Sequence, residues 1–191
     1  GNYSGNNERA KSAIIHKNIG DYGVGGLHFC VDNGYDNQNA SYADRKMSIT
    51  KDGYVTMPNR PCFDVVKSDG HQTGTGYIVY NKVNVNNGNH YSTTTGKFTA
   101  PVAGFYFFSY GQIKNALNSV TRVYIYKNGA SLPNGSQRHL RMDTGQSYGD
   151  NGAMTIVTEL AVGDEIQIYM GQGQVYGTSE EYTYFNGFLI G

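Results

Sequence analysis

The stretch "GFYFFSY", Gly104 to Tyr110, constrains the fold more than any other part of this chain. In an extended chain successive side chains point to opposite sides, so Tyr106, Phe108 and Tyr110 share one face and Phe105 and Phe107 the other. Both faces are aromatic. Each ring buries about 150 to 250 Å², which at roughly 25 cal/mol/Å² amounts to about 4 to 6 kcal/mol as an upper figure. Both faces therefore need cover. A two-layer sandwich has one interior and hides only one of them. The other requires a loop, a local twist or a neighbouring subunit, and the subunit interface is the preferred reading.

The rest of the chain supports an all-β fold. Its 191 residues include 26 Gly and 17 Tyr with no Trp, a composition of turn-rich β structure and of adaptable hydrogen-bonding surfaces. Segments such as "GYIVYNKVNV", "TRVYIYKNGASL", "AMTIVTELAV" and "DEIQIYM" recur from Cys62 onward with turns between them, the spacing of a sandwich or barrel. Asn128-Gly129 marks a tight hairpin. Before residue 45 two apolar islands, "AIIHKNI" from Ala13 and "GGLHFCV" from Gly25, read as short strands. A hairpin follows around Asp52-Gly53, and Pro58 and Pro61 bracket a boundary. The division expected is a small β-rich segment, residues 1–61, and a larger domain, residues 62–191. Gly1, without initiator Met or leader, reads as the start of a piece cut from a longer chain.

Charge is balanced at 15 basic and 15 acidic residues, so nothing recommends nucleic acid as a partner. Arg122, Arg138 and Arg141 form no stripe. No apolar run approaches the eighteen or so residues of a membrane helix, so no membrane insertion is expected. Cys30 and Cys62 fit no metal spacing and read as free structural thiols.

Several motifs together resemble the globular-head domain of complement C1q. Phe98, then Gly104, then Tyr106, Phe108 and Tyr110 on alternate positions follow its pattern, with Tyr91 and Asn86 at the upstream positions and Tyr80 where the family has Phe. "YKNG" from Tyr126, "VGDEIQI" from Val162 and "FNGFLIG", with Phe185 and Gly187, are similar to the family in the same order. The resemblance implies a ten-stranded jelly roll of the tumour necrosis factor type, a homotrimer, and ligand binding without catalysis. In the trimer a change at Tyr110 is expected to weaken association most. Farther upstream, "RKMSITKDGYVTMPNRP" is similar to a hairpin-and-proline element of phage tail fibres. That likeness implies a fibre tip on a virion, attaching to a host cell-surface glycan or protein receptor. The alternatives are a structural trimerisation cap and a secreted or surface C1q-like ligand-binding protein.

Catalysis has little to build on. His16, His28, His71, His90 and His139 are scattered, no Gly-x-Ser-x-Gly elbow occurs, and the adjacent Glu180 and Glu181 point apart. The segment "GQGQVYGTSEEY" offers Gln172, Gln174, Tyr176, Glu180 and Tyr182 as a receptor contact, mixing flat aromatic area with amide and carboxylate groups. Asp143 and Asp150, in a Gly-rich loop, are the candidate ligands for a Ca2+ ion.

Overall fold

The computed structural model describes residues 9–115, 120–132, 139–143 and 151–191. The chain forms two compact units, Gly1–Asn59 and Arg60–Gly191. No α-helix occurs among the described residues, and no helix is long and apolar enough to cross a membrane.

The first unit is a four-stranded antiparallel sheet in the order β1-β2-β3-β4, with β1 at Ser12–Asn18, β2 at Gly25–Val31, β3 at Arg45–Ile49 and β4 at Val55–Thr56. The two apolar islands are β1 and β2, paired from Ser12 opposite Val31 to Asn18 opposite Gly25. The hairpin around Asp52-Gly53 is wider than a two-residue turn. Thr50 organises it, donating its N–H to Tyr54 O at 2.9 Å and accepting at Oγ1 from the Tyr54 N–H at 3.1 Å. Inside this unit, buried His28 meets Ser48 Oγ through Nδ1 at 2.7 Å and the Tyr42 ring edge-on at 4.7 Å.

The second unit contains β5 (Cys62–Val66), β6 (Gln72–Thr73), β7 (Gly76–Tyr77), β8 (Lys82–Asn87), β9 (Tyr91–Ser92), β10 (Lys97–Thr99) and β11 (Gly104–Ile113). After these come β12 (Thr121–Lys127), β13 (Ala130–Ser131), β14 (His139–Met142), β15 (Asn151–Leu160), β16 (Glu165–Gln172), β17 (Gln174–Val175) and β18 (Tyr184–Leu189). A five-stranded sheet runs β15-β11-β18-β5-β8. A seven-stranded sheet runs β13-β12-β16-β10-β9, with β14 added beside β12 and β7 beside β16, and β17 pairs separately with β6. The segments outnumber the ten strands expected because five of them (β6, β7, β9, β13 and β17) are two residues long.

Asn128-Gly129 joins β12 to β13 as a two-residue hairpin, with φ of 51° and 81° at its two positions. A type I′ turn needs positive φ at both, which Asn tolerates and Gly adopts freely. One contiguous core lies between the two large sheets. It takes Phe63, Val65, Tyr106, Phe108, Tyr110 and Phe185 from the five-stranded sheet and Val123, Ile125, Ile166, Ile168 and Met170 from the other.

Candidate functional site: the two faces of β11 and the loops beside it

The alternation in "GFYFFSY" sorts its rings as the period of two requires. Tyr106, Phe108 and Tyr110 are each 0% exposed, while Phe105 is 52% exposed. The buried set meets Phe98 and Phe185 of the family pattern, together with Phe63, in one aromatic cluster: Phe63 stacks on Phe98 at 5.0 Å, Phe98 meets Phe108 at 5.5 Å, and Phe63 meets Phe185 at 4.8 Å. Gly187 is small because Phe108 lies against it; a Cβ there would stand 2.5 Å from Phe108 Cδ1. At Gly104 a Cβ would stand 2.8 Å from Gly191 O, so β11 can begin against the chain's last residue.

The upstream positions of the pattern have local tasks. Asn86 clamps the Tyr91 backbone, donating from Nδ2 to Tyr91 O at 2.9 Å and accepting the Tyr91 N–H at Oδ1 at 3.1 Å. Tyr91 in turn accepts the Tyr80 N–H at its hydroxyl at 3.0 Å, and Tyr80 accepts from Gln112 Nε2 at 2.7 Å. The hydroxyl is what Tyr80 adds to the family's Phe. Burial pushes the phenols of Tyr80, Tyr91 and Tyr110 well above their ordinary range. The expectation that Tyr110 bears on association does not hold, because its ring is fully buried within its own chain, where the hydroxyl donates to Val123 O at 3.4 Å.

The other face of the five-stranded sheet is open. Pairing sets Phe188, Phe107 and Val157 in one row and Phe105 in the next. Phe188 and Val157 are 43% and 56% exposed, and Phe107 contacts Phe188 at 5.2 Å. Toward the far end of β11 this apolar band gives way to Ser109, Thr155 and Asn186. Beyond them lies a cleft of about 350 Å³ lined by Gly111, Ile113, Asn151, Ala153, Tyr182 and Tyr184, among others. Gln112 also lines it, and its Oε1 is buried without a hydrogen-bond partner among the described residues.

Three of the five residues expected at a ligand contact come together. Tyr176 lies 5.9 Å from the Tyr182 ring, and its hydroxyl donates to Glu180 Oε2 at 3.4 Å. Gln172 instead ends β16, and Gln174 lies in β17, where Thr121 Oγ1 bridges its backbone N–H and carbonyl, both at 3.2 Å. His71 joins the Tyr176 cluster at 4.5 Å and accepts the Gly177 N–H at Nδ1 at 3.1 Å. Sequence reading missed it, since more than one hundred residues separate the two. Glu181 is ion-paired to Lys82.

The calcium reading finds little among the described residues. Arg141 holds the Asp143 carboxylate at 2.6 Å, and the ammonium of buried Lys114 donates to the Asp143 carbonyl at 2.7 Å. Asp150 lies outside the described residues, within which no group of three His, Cys, Asp or Glu side chains is placed to hold a metal. Cys30 and Cys62 are both free.

The family model for the C1q domain matches residues 62–190. Human complement C1q tumor necrosis factor-related protein 3 is 33% identical over 113 residues, 59% of this chain and 44% of that protein. Mouse complement C1q and tumor necrosis factor-related protein 9 is 33% identical over 117 residues, 59% of this chain and 33% of that protein. The chain thus spans less than half the length of these curated relatives. Among solved structures, murine APRIL at pH 5.0 superposes with a TM-score of 0.54 at 10% identity, covering 69% of this chain and 99% of that one. The likeness is one of fold.

Proposed function

Because this chain belongs to the C1q domain family, its fold being the all-β jelly roll of that family, we propose that it is a non-enzymatic, trimer-forming recognition module working outside the cell. The observation carrying this reading is the open apolar band of Phe105, Phe107, Val157 and Phe188 on the five-stranded sheet. A contiguous exposed apolar patch on a β-sandwich marks a contact surface. In a closed ring of three, each copy's band packs against a different surface of the next copy, so self-association covers the aromatic face that the core leaves exposed. In this reading the partners are two further copies of the chain and a cell-surface or soluble ligand met by the loops.

The related human and mouse proteins favour a secreted or surface C1q-like protein as the setting. A phage fibre tip recognising a host receptor, or a structural cap for such a fibre, is the second reading. The β3-β4 hairpin and the prolines that follow it support it. Sedimentation equilibrium tests the association: about three times the 21.0 kDa chain mass supports it, and a monomer at micromolar concentration removes it. Sequence encoded upstream of Gly1 separates the settings, a collagen repeat or leader favouring the first and fibre repeats the second.

A further inference from the structure

The outer face of the seven-stranded sheet has no part in the core or in the apolar band. Across it, His139, Tyr124, Tyr169 and Tyr77 lie directly opposite one another on β14, β12, β16 and β7. Directly paired residues share a face. Val123, Ile125, Ile168 and Met170, alternating with them, are fully buried, so the row points outward. The rings touch: Tyr124 meets His139 at 5.0 Å, Tyr77 meets Tyr169 at 5.2 Å, and Tyr126 stacks on Tyr169 at 4.8 Å. Gly171 makes room for the row, since a Cβ there would stand 2.7 Å from Tyr124 Cε2.

Two properties of this face narrow its ligand. Among the large apolar side chains exposed in the second unit, only Tyr77 belongs to it; Tyr124, Tyr126 and Tyr169 are half-buried, so the face offers partly open tyrosine rings without an aliphatic patch. Such a surface suits a ligand that is itself apolar on one side and hydroxylated around its edge. Charge gives the second constraint. Among the described residues of this sheet and its turns, Asp143 is paired with Arg141, Asp164 with Lys127 and Glu165 with Lys97, all at 2.6 Å. Arg122, opposite both Arg141 and Gln172 and two residues from Tyr124, has no ion-pair partner among the described residues, and its Nε is buried without a hydrogen-bond acceptor. Among the described residues, the row therefore ends at a guanidinium with no paired carboxylate.

We propose that this face binds an acidic saccharide, with the tyrosine row taking the C–H faces of the sugar rings and Arg122 taking a carboxylate or sulfate group. A guanidinium holds either anion through paired N–H donors. The inference rests on the recognition reading and names its ligand class, moving the main contact from the loop after Gly171 to the sheet face that Gln172 borders.

The test is binding to immobilised oligosaccharides bearing uronate, sialate or sulfate, each beside its neutral parent. The unmodified protein, Arg122→Gln, and Tyr124→Ala with Tyr169→Ala are compared after sedimentation and melting show them folded. The unmodified protein is expected to bind one acidic class above its parent, which class being the one the carboxylate and sulfate arms report. Arg122→Gln is expected to weaken that binding about tenfold or more and to erase the preference over the parent. The tyrosine pair is expected to lose both. No binding to any panel member overturns the proposal, and so does binding that both variants retain. Equal binding to polyglutamate also overturns it, because charge alone then suffices. A trimer that binds no saccharide sinks this inference and leaves the trimeric module standing, whereas a monomer that binds keeps the saccharide face and removes the trimer.

Discussion

Phe107 and Phe108 are neighbours in sequence on opposite faces of β11, and replacing each in turn separates folding from assembly. Phe108 is 0% exposed and meets Phe98 at 5.5 Å, Phe185 at 5.9 Å and Tyr106 at 6.1 Å. Phe108→Ala leaves a cavity among rings that cannot collapse into it, at a cost of roughly 3 to 5 kcal/mol. For a domain the size of the second unit, roughly 3 to 5 °C is lost per kcal/mol, so melting falls by roughly 10 to 25 °C. Phe107→Ser removes a ring that packs on Phe188 at 5.2 Å on the outer face. Covering about half of such a ring is worth about 2 kcal/mol, so association weakens on the order of thirtyfold per contact while the isolated domain stays folded. Thermal melting and sedimentation across a dilution series read the two effects separately. The reasoning fails if Phe107→Ser leaves assembly unchanged at every concentration, or if Phe108→Ala dissociates the assembly without lowering the domain's own stability.

Asn86→Ala removes both hydrogen bonds that clamp Tyr91 and is expected to cost about 1 to 3 kcal/mol in urea unfolding; an unchanged midpoint would mean water replaces the amide. Gly187→Ala pushes a methyl to 2.5 Å from Phe108 and is expected to destabilise by about 1 to 3 kcal/mol, measured the same way. Lys127, Asn128 and the Ala161 N–H hold the Asp164 carboxyl down to about 2 from 3.8. A depressed carboxylate contributes stability above its unfolded value and loses it as pH falls through the folded one. Stability is therefore expected to drop between about pH 4 and pH 2, and Asp164→Asn to flatten that part of the profile. Chelator is expected to leave the melting temperature of the unmodified protein unchanged, because Arg141 already compensates Asp143; a drop reversed by added calcium would restore the reading of Asp143 and Asp150 as ligands.

The fold was legible because its strongest signals are local and obey the strand period. Alternate burial along Gly104–Ile113, the Asn128-Gly129 turn and the strands at Ser12–Asn18 and Gly25–Val31 all follow from residues within a few positions of one another. Asp52-Gly53 alone signals a two-residue turn, but Thr50 closes a wider hairpin from outside the dipeptide, through a backbone bond and a side-chain bond to Tyr54. The expectation that Tyr110 bears on association fails on its own alternation with Tyr106 and Phe108, which puts all three on one side, and the core settles which side that is.

Sites built across strands were much less legible, since register is not written in any one segment. Tyr77, Tyr124, Tyr169 and His139 span more than ninety positions and meet only because four strands align them. Each alone reads as an outward residue of an amphipathic strand. The same holds for His71 beside Tyr176. Gly171 is the one local clue, because a glycine inside a strand implies something lying across the backbone, here the Tyr124 ring. A shift of one residue in the pairing of β12 with β16 would turn Tyr169 into the core and Ile168 out to solvent. The burial of Val123, Ile125, Ile168 and Met170 forbids that shift, so the hydrophobic core that fixes the fold also holds the tyrosine row in place.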